Sequence, residues 1–202
     1  MATKASLPSR LHHTAYVSKD LEATRKFYEE IIGLPLLATW CERDLLFGAE
    51  RTYAHCFFGL GDGGALAFFQ FAEKGDQEQF GPQMPFTPFH HIALNVDRET
   101  QAGIEKRLKD AGYQEPQSFV LEHGYCRSVY VTDPNGMIVE FTLDHPDAAN
   151  INRNALPRRT ANSSAGWRGT TPPTTPIVEL ELADAETADA HQHRPHPHHA
   201  RR

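Results

Sequence analysis

The sequence has few cysteines, no excess of basic residues and no long apolar run. Its three cysteines, Cys41, Cys56 and Cys126, lack paired metal-ligand spacing, and their odd number argues against a disulfide framework. We therefore expect a reducing, cytoplasmic environment. A net charge of −6 excludes an overall basic footprint for nucleic acid. No apolar run approaches the ~20 residues that span a bilayer, and the first residues lack the apolar core of a signal peptide. We expect neither nucleic acid nor membrane as a partner.

Composition changes sharply after about residue 145. Before that point apolar runs alternate with turn residues; beyond it come runs rich in Pro, Thr, Asn and Ser, then an acidic stretch and a His-rich end. We predict a domain over 8–145 and a low-complexity, flexible tail over 146–202, because such a tail buries too little apolar surface to offset its ordering entropy. Within the tail, only 177–182 has an alternation that favours a strand. The histidines at 191–199 lack the fixed geometry of a catalytic metal site.

The part before residue 145 repeats one order of elements. Apolar periodicity predicts β-α-β-β-β twice, in units of about 10–73 and 86–144. The predicted strands are 11–18, 36–45, 54–60, 65–72, 89–96, 117–122, 127–132 and 137–143, and the predicted helices are 21–32 and 99–112. The fold class is therefore α+β: two tandem βαβββ units that form a concave mixed sheet around a metal site, with an extended C-terminal tail.

Three residues carry the chemistry that this repeat predicts. His13 and His91 open the first strand of each unit, and Glu140 lies on the last strand of the second. Side chains in the same phase of equivalent strands face the same side of their sheets, so the two imidazoles and the carboxylate can converge. Two histidines and one carboxylate hold a divalent metal on one face and leave the other open, an arrangement typical of non-haem Fe(II) oxygenases. His12 and His90 face the opposite side and are expected to support the ligands or lie at the surface.

On these residues the chain resembles the vicinal oxygen chelate superfamily, which includes glyoxalase I, fosfomycin-resistance proteins and extradiol ring-cleaving dioxygenases. The resemblance covers roughly residues 10–144. Its markers are His13 followed by Val17, the Asp20-Leu21-Glu22-Ala23-Thr24 and Phe27-Tyr28 runs, and the Asp133-Pro134-Asn135-Gly136 turn that leads to Glu140. It implies that His13, His91 and Glu140 are metal ligands, that the substrate is a small molecule and that the protein pairs as a homodimer.

The stretch from His123 to Glu140 is most similar to the signature of single-domain extradiol dioxygenases. That likeness implies that His123 and Tyr130 are catalytic, contacting the substrate hydroxyl and bound oxygen. Both also have ordinary explanations, since loop histidines are commonly solvated and strand tyrosines pack across strands. Gly63 and Gly64 stand where two-domain extradiol enzymes carry a further catalytic histidine, and His55 is out of register with that position. Aligning Gly64 with Gly136 puts Phe68 where glyoxalase I carries a fourth, carboxylate ligand.

The main hypothesis from the sequence is a metal-dependent dioxygenase, an oxidoreductase that acts on a small vicinal-diol or enol aromatic. It would use Fe(2+), or Mn(2+) or another divalent metal, with O2 as co-substrate and no organic cofactor. The alternative is a redox-neutral glyoxalase-type lyase or isomerase, or a thiol transferase, of the same fold. A third reading is a small-molecule-binding resistance protein. Oxygen dependence separates the first two, and metal affinity that is lost with His13 and His91 disfavours the third.

Overall fold

The strands and helices follow the predicted order closely. The computed structural model describes residues 8–81, 87 and 89–155. The first unit contains β1 (His13–Val17), α1 (Leu21–Arg25) continued by a π-helical segment (Lys26–Ile32), β2 (Leu36–Leu46), β3 (Ala49–Gly59), β4 (Ala65–Phe71) and α2 (Lys74–Phe80). The second contains β5 (His91–Asn95), α3 (Arg98–Asp110), β6 (Ser118–Glu122), β7 (Cys126–Thr132), β8 (Ile138–Asp144) and α4 (Ala148–Ala155).

The α+β class and the tandem βαβββ units are confirmed. The eight strands form two separate four-stranded sheets, with strand orders β1-β4-β3-β2 and β5-β8-β7-β6, in place of one continuous sheet. In each sheet the first strand pairs in parallel with the last, and the remaining pairs are antiparallel. Two helices, α2 and α4, were not predicted, and α4 follows the proposed domain boundary at 145. Most of the predicted tail, including 177–182 and the histidines at 191–199, lies outside the described residues.

Helix α1 begins directly after its N-cap residue, Asp20. The carboxylate of Asp20 accepts hydrogen bonds from the backbone N–H groups of Glu22 and Ala23, which satisfies donors that the first turn leaves free. The helix then widens over Lys26–Ile32 and ends at Gly33, whose φ of 93° lies in the left-handed region that glycine adopts without strain. Phe27, Tyr28 and Ile32 are thereby turned inward.

Both sheets contribute one face to a single hydrophobic core. That core combines side chains of the π-helical segment and α3 with the inner faces of β3, β4, β7 and β8: Phe27, Tyr28, Ile32, Cys56, Phe58, Leu66, Phe68, Ile104, Leu108, Val129, Val131, Met137, Val139 and Phe141. Because strand side chains alternate, every second residue of each strand points away from this core. We call the two surfaces so formed the outer faces of the first and second sheets.

A buried polar cluster ties the two units together. The Tyr28 hydroxyl donates to a carboxylate oxygen of Asp133 at 3.0 Å, across 105 residues of chain. The Lys19 N–H donates to Asn135 Oδ1 at 2.9 Å, and Asn135 Nδ2 donates to Thr24 Oγ1 at 3.1 Å. The 133–136 turn therefore does two things: it leads into β8, and it anchors the second unit to the first.

Arg107 makes a second link between the units. Its guanidinium donates from Nε to the Ile31 carbonyl at 2.5 Å and from Nη2 to the Ile32 carbonyl at 2.6 Å. These carbonyls lie at the C-terminal end of the π-helical segment, where a cation is favoured by both hydrogen bonding and the helix dipole.

Two further findings concern the cysteines and the helices. Cys41, Cys56 and Cys126 are free thiols; Cys41 is exposed and the other two are buried. Among the described residues, none of the helices has the length and apolar character needed to cross a bilayer.

Replacing Tyr28 with Phe should destabilise the fold by about 1–3 kcal/mol, because a buried carboxylate oxygen of Asp133 loses one of its two donors, the other being Asn135 Nδ2, while the ring packing is kept. Burial raises the pKa of Asp133, and the hydrogen bond from Tyr28 opposes that rise. Since this bond favours the ionised form, the penalty should grow with pH through the range in which Asp133 ionises. Urea denaturation at several pH values measures it.

Tyr113→Phe is the matched control, because this tyrosine packs against Phe27 and its hydroxyl has no hydrogen bond among the described residues. Equal losses for the two variants would contradict a stabilising bond between the units.

Candidate metal centre

His91 and Glu140 form a close pair on the outer face of the second sheet. His91 Nε2 lies 2.9 Å from Glu140 Oε2. Their strands, β5 and β8, are neighbours, and the register pairs Ala93 with Glu140. The adjacent residues of both strands, among them Val139 and Phe141, pack into the core, so the pair necessarily faces away from it.

Hydrogen bonds on the far side of each group hold this pair in place. His91 Nδ1 lies 3.1 Å from the carbonyl oxygen of Phe89, which can only accept, so Nδ1 donates here and Nε2 is the nitrogen that faces Glu140. The Ser128 hydroxyl donates to Glu140 Oε1 at 2.5 Å and leaves Oε2 facing the imidazole. This is the support that protein metal ligands usually have.

The pair can hold a cation between its two members. Glu140 is only 6 % exposed, and its Oε2 faces His91 Nε2 at 2.9 Å. A proton or a divalent metal fits between these two atoms, and imidazole with carboxylate is a common donor set for such metals. These two residues therefore fit a metal ion.

The two predicted catalytic residues lie beside this pair. Tyr130 is opposite Glu140 in the β7–β8 register, and its ring centroid is 5.8 Å from that of His91. His123 Nε2 lies 3.2 Å from the Tyr130 hydroxyl. Burial, and next the charge of Glu140, raise the pKa of Tyr130 to about 12, so the phenol keeps its proton. The structure thus gathers His91, Glu140, Tyr130 and His123 on one surface.

His13 lies apart from this group, on the first sheet. Its ring contacts His12, with the two Nδ1 atoms 2.8 Å apart, and packs edge-on against Phe57 at 5.8 Å between centroids. Across residues 8–81, 87 and 89–155, no three His, Cys, Asp or Glu side chains come close enough to hold a metal ion. Within one chain the two imidazoles do not meet, because the units pack through their helices and inner faces. The assignment of His13 as a ligand stays a prediction.

The register corrects one residue of the repeat alignment. Because β1 and β4 pair Ala15 with Ala67, as β5 and β8 pair Ala93 with Glu140, the first-unit counterpart of Glu140 is Ala67, not Phe68. Phe68 points into the core. The loops before β4 and β8 differ in length, so aligning glycines misplaced the strand by one residue, which reverses the face. Either residue leaves the position without a carboxylate.

One candidate residue was missed by the sequence reasoning. His55 lies on the same outer face as His13, stacked on Phe69 at 3.7 Å and packed against Phe57 at 4.2 Å. Burial lowers the pKa of His55; the charge of Glu42 opposes this and His13 adds to it. The signal that could have found it is the alternation of β3, where His55 and Phe57 share one face.

Comparisons with known proteins agree with this architecture. The family model described as Glyoxalase/Bleomycin resistance protein/Dioxygenase superfamily matches residues 10–141. A lactoylglutathione lyase of Neisseria meningitidis serogroup A is 26% identical over 132 residues, covering 65% of this chain and 88% of its own. A lactoylglutathione lyase of Escherichia coli O157:H7 is 28% identical over 141 residues, covering 69% and 95%.

Among solved structures, the fosfomycin resistance protein FosX of Listeria monocytogenes has a TM-score of 0.51 at 20% identity, covering 70% of this chain and 98% of its own. A glyoxylase/bleomycin resistance protein/dioxygenase domain from Frankia sp. has the same TM-score at 19% identity, covering 70% and 95%. At such identities the likeness concerns the fold alone.

Ser128→Ala should weaken divalent-metal binding about 10–100-fold, because Glu140 loses the hydrogen bond that orients it. The fold should be nearly unaffected. Calorimetric titration of the full chain with Mn2+ measures the change, with His91→Ala/Glu140→Ala giving the background from the histidines at 191–199. Ser118→Ala, on the opposite face of β6, is the control. If both serine variants bind Mn2+ as the unmodified chain does, Glu140 is not the ligand that Ser128 orients.

Proposed function

This chain belongs to the Glyoxalase/Bleomycin resistance protein/Dioxygenase superfamily, and we propose that it is a divalent-metal-dependent enzyme with redox-neutral, glyoxalase-type chemistry. Its substrate is a small molecule that presents two neighbouring oxygen atoms to the metal. The observation that carries this proposal is the 2.9 Å contact between His91 Nε2 and Glu140 Oε2, with both groups held from behind. The metal is Mn2+, Ni2+ or Zn2+.

We propose that His13 is the third ligand and comes from a second copy of the chain. His13 lies on one outer face and the His91–Glu140 pair on the other, and neither face is covered by the core. If the first sheet of one copy packs on the second sheet of its partner, one twofold axis creates two complete sites. Such an isologous arrangement satisfies both copies at once.

Exposed apolar side chains support this pairing. Trp40 on the first sheet is 58 % exposed and Leu121 on the second is 38 % exposed, each at an outer-face position. A homodimer through the outer faces would remove both side chains from water and bring His13 to the ligand pair.

A divalent cation bound by these residues would supply Lewis-acid polarisation of the substrate's oxygens. The chain itself supplies the groups that move protons. Tyr130, whose phenol stays protonated, donates to a substrate oxygen beside Glu140. His123 is half-buried and hydrogen-bonded to that phenol, so it connects the phenol to solvent protons.

The proposal of redox-neutral chemistry is supported by relatives named lactoylglutathione lyase, which are 25–28% identical to this chain. Ala67 separates this chain from glyoxalase I, where a carboxylate is expected at that place. With three protein ligands instead of four, the metal offers one more open position. This difference favours a substrate other than that of the named relatives.

A second candidate is an extradiol-type dioxygenase that uses Fe(2+) and O2 on a vicinal-diol or enol aromatic. The observation that favours it is the 3.2 Å contact between His123 and Tyr130 beside Glu140, the pair that the extradiol resemblance assigns to oxygen chemistry. Oxygen dependence decides between the two candidates.

In deuterium oxide under argon, the Zn2+-loaded protein should exchange the protons next to the carbonyl of 2-hydroxyacetophenone, an aromatic probe with two neighbouring oxygens. The rate should be the same in air, because no oxidant takes part. Glu140→Ala should lower it at least about tenfold, since loss of a ligand removes the metal, whereas His90→Ala, on the opposite phase of the same segment, should not. Proton NMR follows the exchange. Absence of exchange, together with oxygen uptake by the Fe2+-loaded protein and a catechol, would establish the dioxygenase instead.

Mixing two inactive variants tests the shared site. His13→Ala and Glu140→Ala should each be inactive, and an unfolded-and-refolded equimolar mixture should recover about a quarter of the unmodified rate. Half of the dimers are then hybrids, and one of the two sites in each hybrid keeps all three ligands. A mixture of His91→Ala with Glu140→Ala should recover nothing, because both changes fall on the same side of the site. Equal recovery by the two mixtures would rule out a ligand set divided in this way.

A further inference from the structure

A row of aromatic side chains continues from His13 across the outer face of the first sheet. The strand registers put Trp40, His55, Phe57 and Phe69 on this face. Ring centroids are 5.8 Å apart for His13 and Phe57, 4.2 Å for Phe57 and His55, and 3.7 Å for His55 and Phe69. We call Phe57, His55 and Phe69 the aromatic row. Trp40 stands beside it, opposite His55 in the β2–β3 register.

The row contains one polar atom that lacks a partner. Nε2 of His55 is buried and has no hydrogen bond among the described residues. A buried polar atom left in this state is unfavourable, and such atoms are rare in native proteins outside functional sites. Neighbouring side chains cover Nε2 in this conformation, so a hydroxyl or carbonyl group of a ligand supplies the missing partner by displacing one of them.

The two outer faces offer no free cation at their strand positions. The registers assign one basic residue to these positions, Arg51, and it is occupied by an ion pair with Asp76 and lies over the Phe80 ring. The acidic residues on the faces are Glu42, Asp44, Glu140 and Asp144. Away from the proposed metal, a carboxylate, phosphonate or sulfonate bound on the row would be desolvated without a counter-charge, which is costly. Charge therefore selects against an anionic group on the part of the substrate that does not reach the metal.

We propose that the aromatic row is the platform for a planar, uncharged aromatic part of the substrate, and that His55 selects a ring carrying a hydroxyl or carbonyl group. Offset stacking on Phe57 and Phe69 holds the ring, and His55 is a positioning residue that hydrogen-bonds its polar substituent. The inference rests on the proposed function only for the end of the substrate that reaches the metal. The contact between Phe57 and His13 makes the platform continuous with the ligand set.

The probe for the platform is 2-naphthol, measured by calorimetric titration of the full, metal-free chain. Two analogues are compared with it. In 2-methylnaphthalene a methyl group replaces the hydroxyl, and 2-naphthol-6-sulfonate carries an added anion on the same ring. We expect 2-naphthol to bind at least about tenfold tighter than either, the gain from one hydrogen bond in a buried site and the cost of an unpaired anion. His91→Ala/Glu140→Ala should bind 2-naphthol as the unmodified chain does.

His55→Phe separates selection from a structural role. It keeps the stacked ring and removes the unpartnered nitrogen, so the thermal midpoint should be unchanged or raised, while 2-naphthol affinity falls about tenfold to that of 2-methylnaphthalene. Phe69→Leu should weaken both ligands. Phe47→Leu, at the exposed hairpin turn between β2 and β3, is the control and should change neither.

Three results would overturn the proposal: equal binding of the sulfonate and 2-naphthol, unchanged 2-naphthol affinity in His55→Phe, or equal weakening by Phe47→Leu and Phe69→Leu. Failure of the proposed function has a different signature. In that case Mn2+ would not tighten binding of 2,3-dihydroxynaphthalene to the unmodified chain, while the ranking of the three metal-free probes would stand.

Discussion

Packing of both units against one shared core decides which side chains are available for chemistry. Each strand gives every second residue to that core, so the remaining residues form two outer faces that the core cannot cover. His13 and the aromatic row occupy one face, and the His91–Glu140 pair occupies the other. The polar cluster around Asp133 and the Arg107 contacts hold the units in this arrangement. The proposed division of one metal site between two copies of the chain follows from it.

On the second outer face, contacts from neighbouring side chains hold the buried Glu140 carboxylate in one orientation. Glu140 lies among Ser128, Tyr130 and His91, and each of these has a further contact: Ser128 with the Thr142 hydroxyl at 3.2 Å, Tyr130 by stacking on Phe119, and His91 with the Phe89 carbonyl. The carboxylate is therefore oriented before a cation arrives, which reduces the cost of ordering the ligands. The same carboxylate helps to keep Tyr130 protonated.

The first outer face differs from the second in kind. Where the second unit carries Glu140 and Tyr130, the register of the first unit puts Ala67 and Phe57. In the proposed site, the second unit thus supplies two metal ligands and the proton-transferring groups, while the first supplies His13 and an apolar surface interrupted by His55. Ala65 and Ala67 lie on this face beside the aromatic residues at 57 and 69, and both are buried. This asymmetry is the structural basis for assigning the substrate's ring to one unit and its oxygens to the other.

The sequence by itself determined the order of the elements, the duplicated βαβββ units and the candidate ligands, because apolar periodicity and turn residues are local signals. Periodicity did not determine which strands pair: His91 and Glu140 meet because β5 and β8 are neighbours in the folded sheet, although they lie far apart in the chain. Only the tertiary structure decided that His13 lies on a separate sheet, that Ala67 replaces Phe68 as the counterpart of Glu140, and that His55 joins the row. These depend on strand register and on packing between the units. A shift of one residue in register reverses the face of every side chain, and contacts such as Tyr28 with Asp133 join residues far apart in the chain.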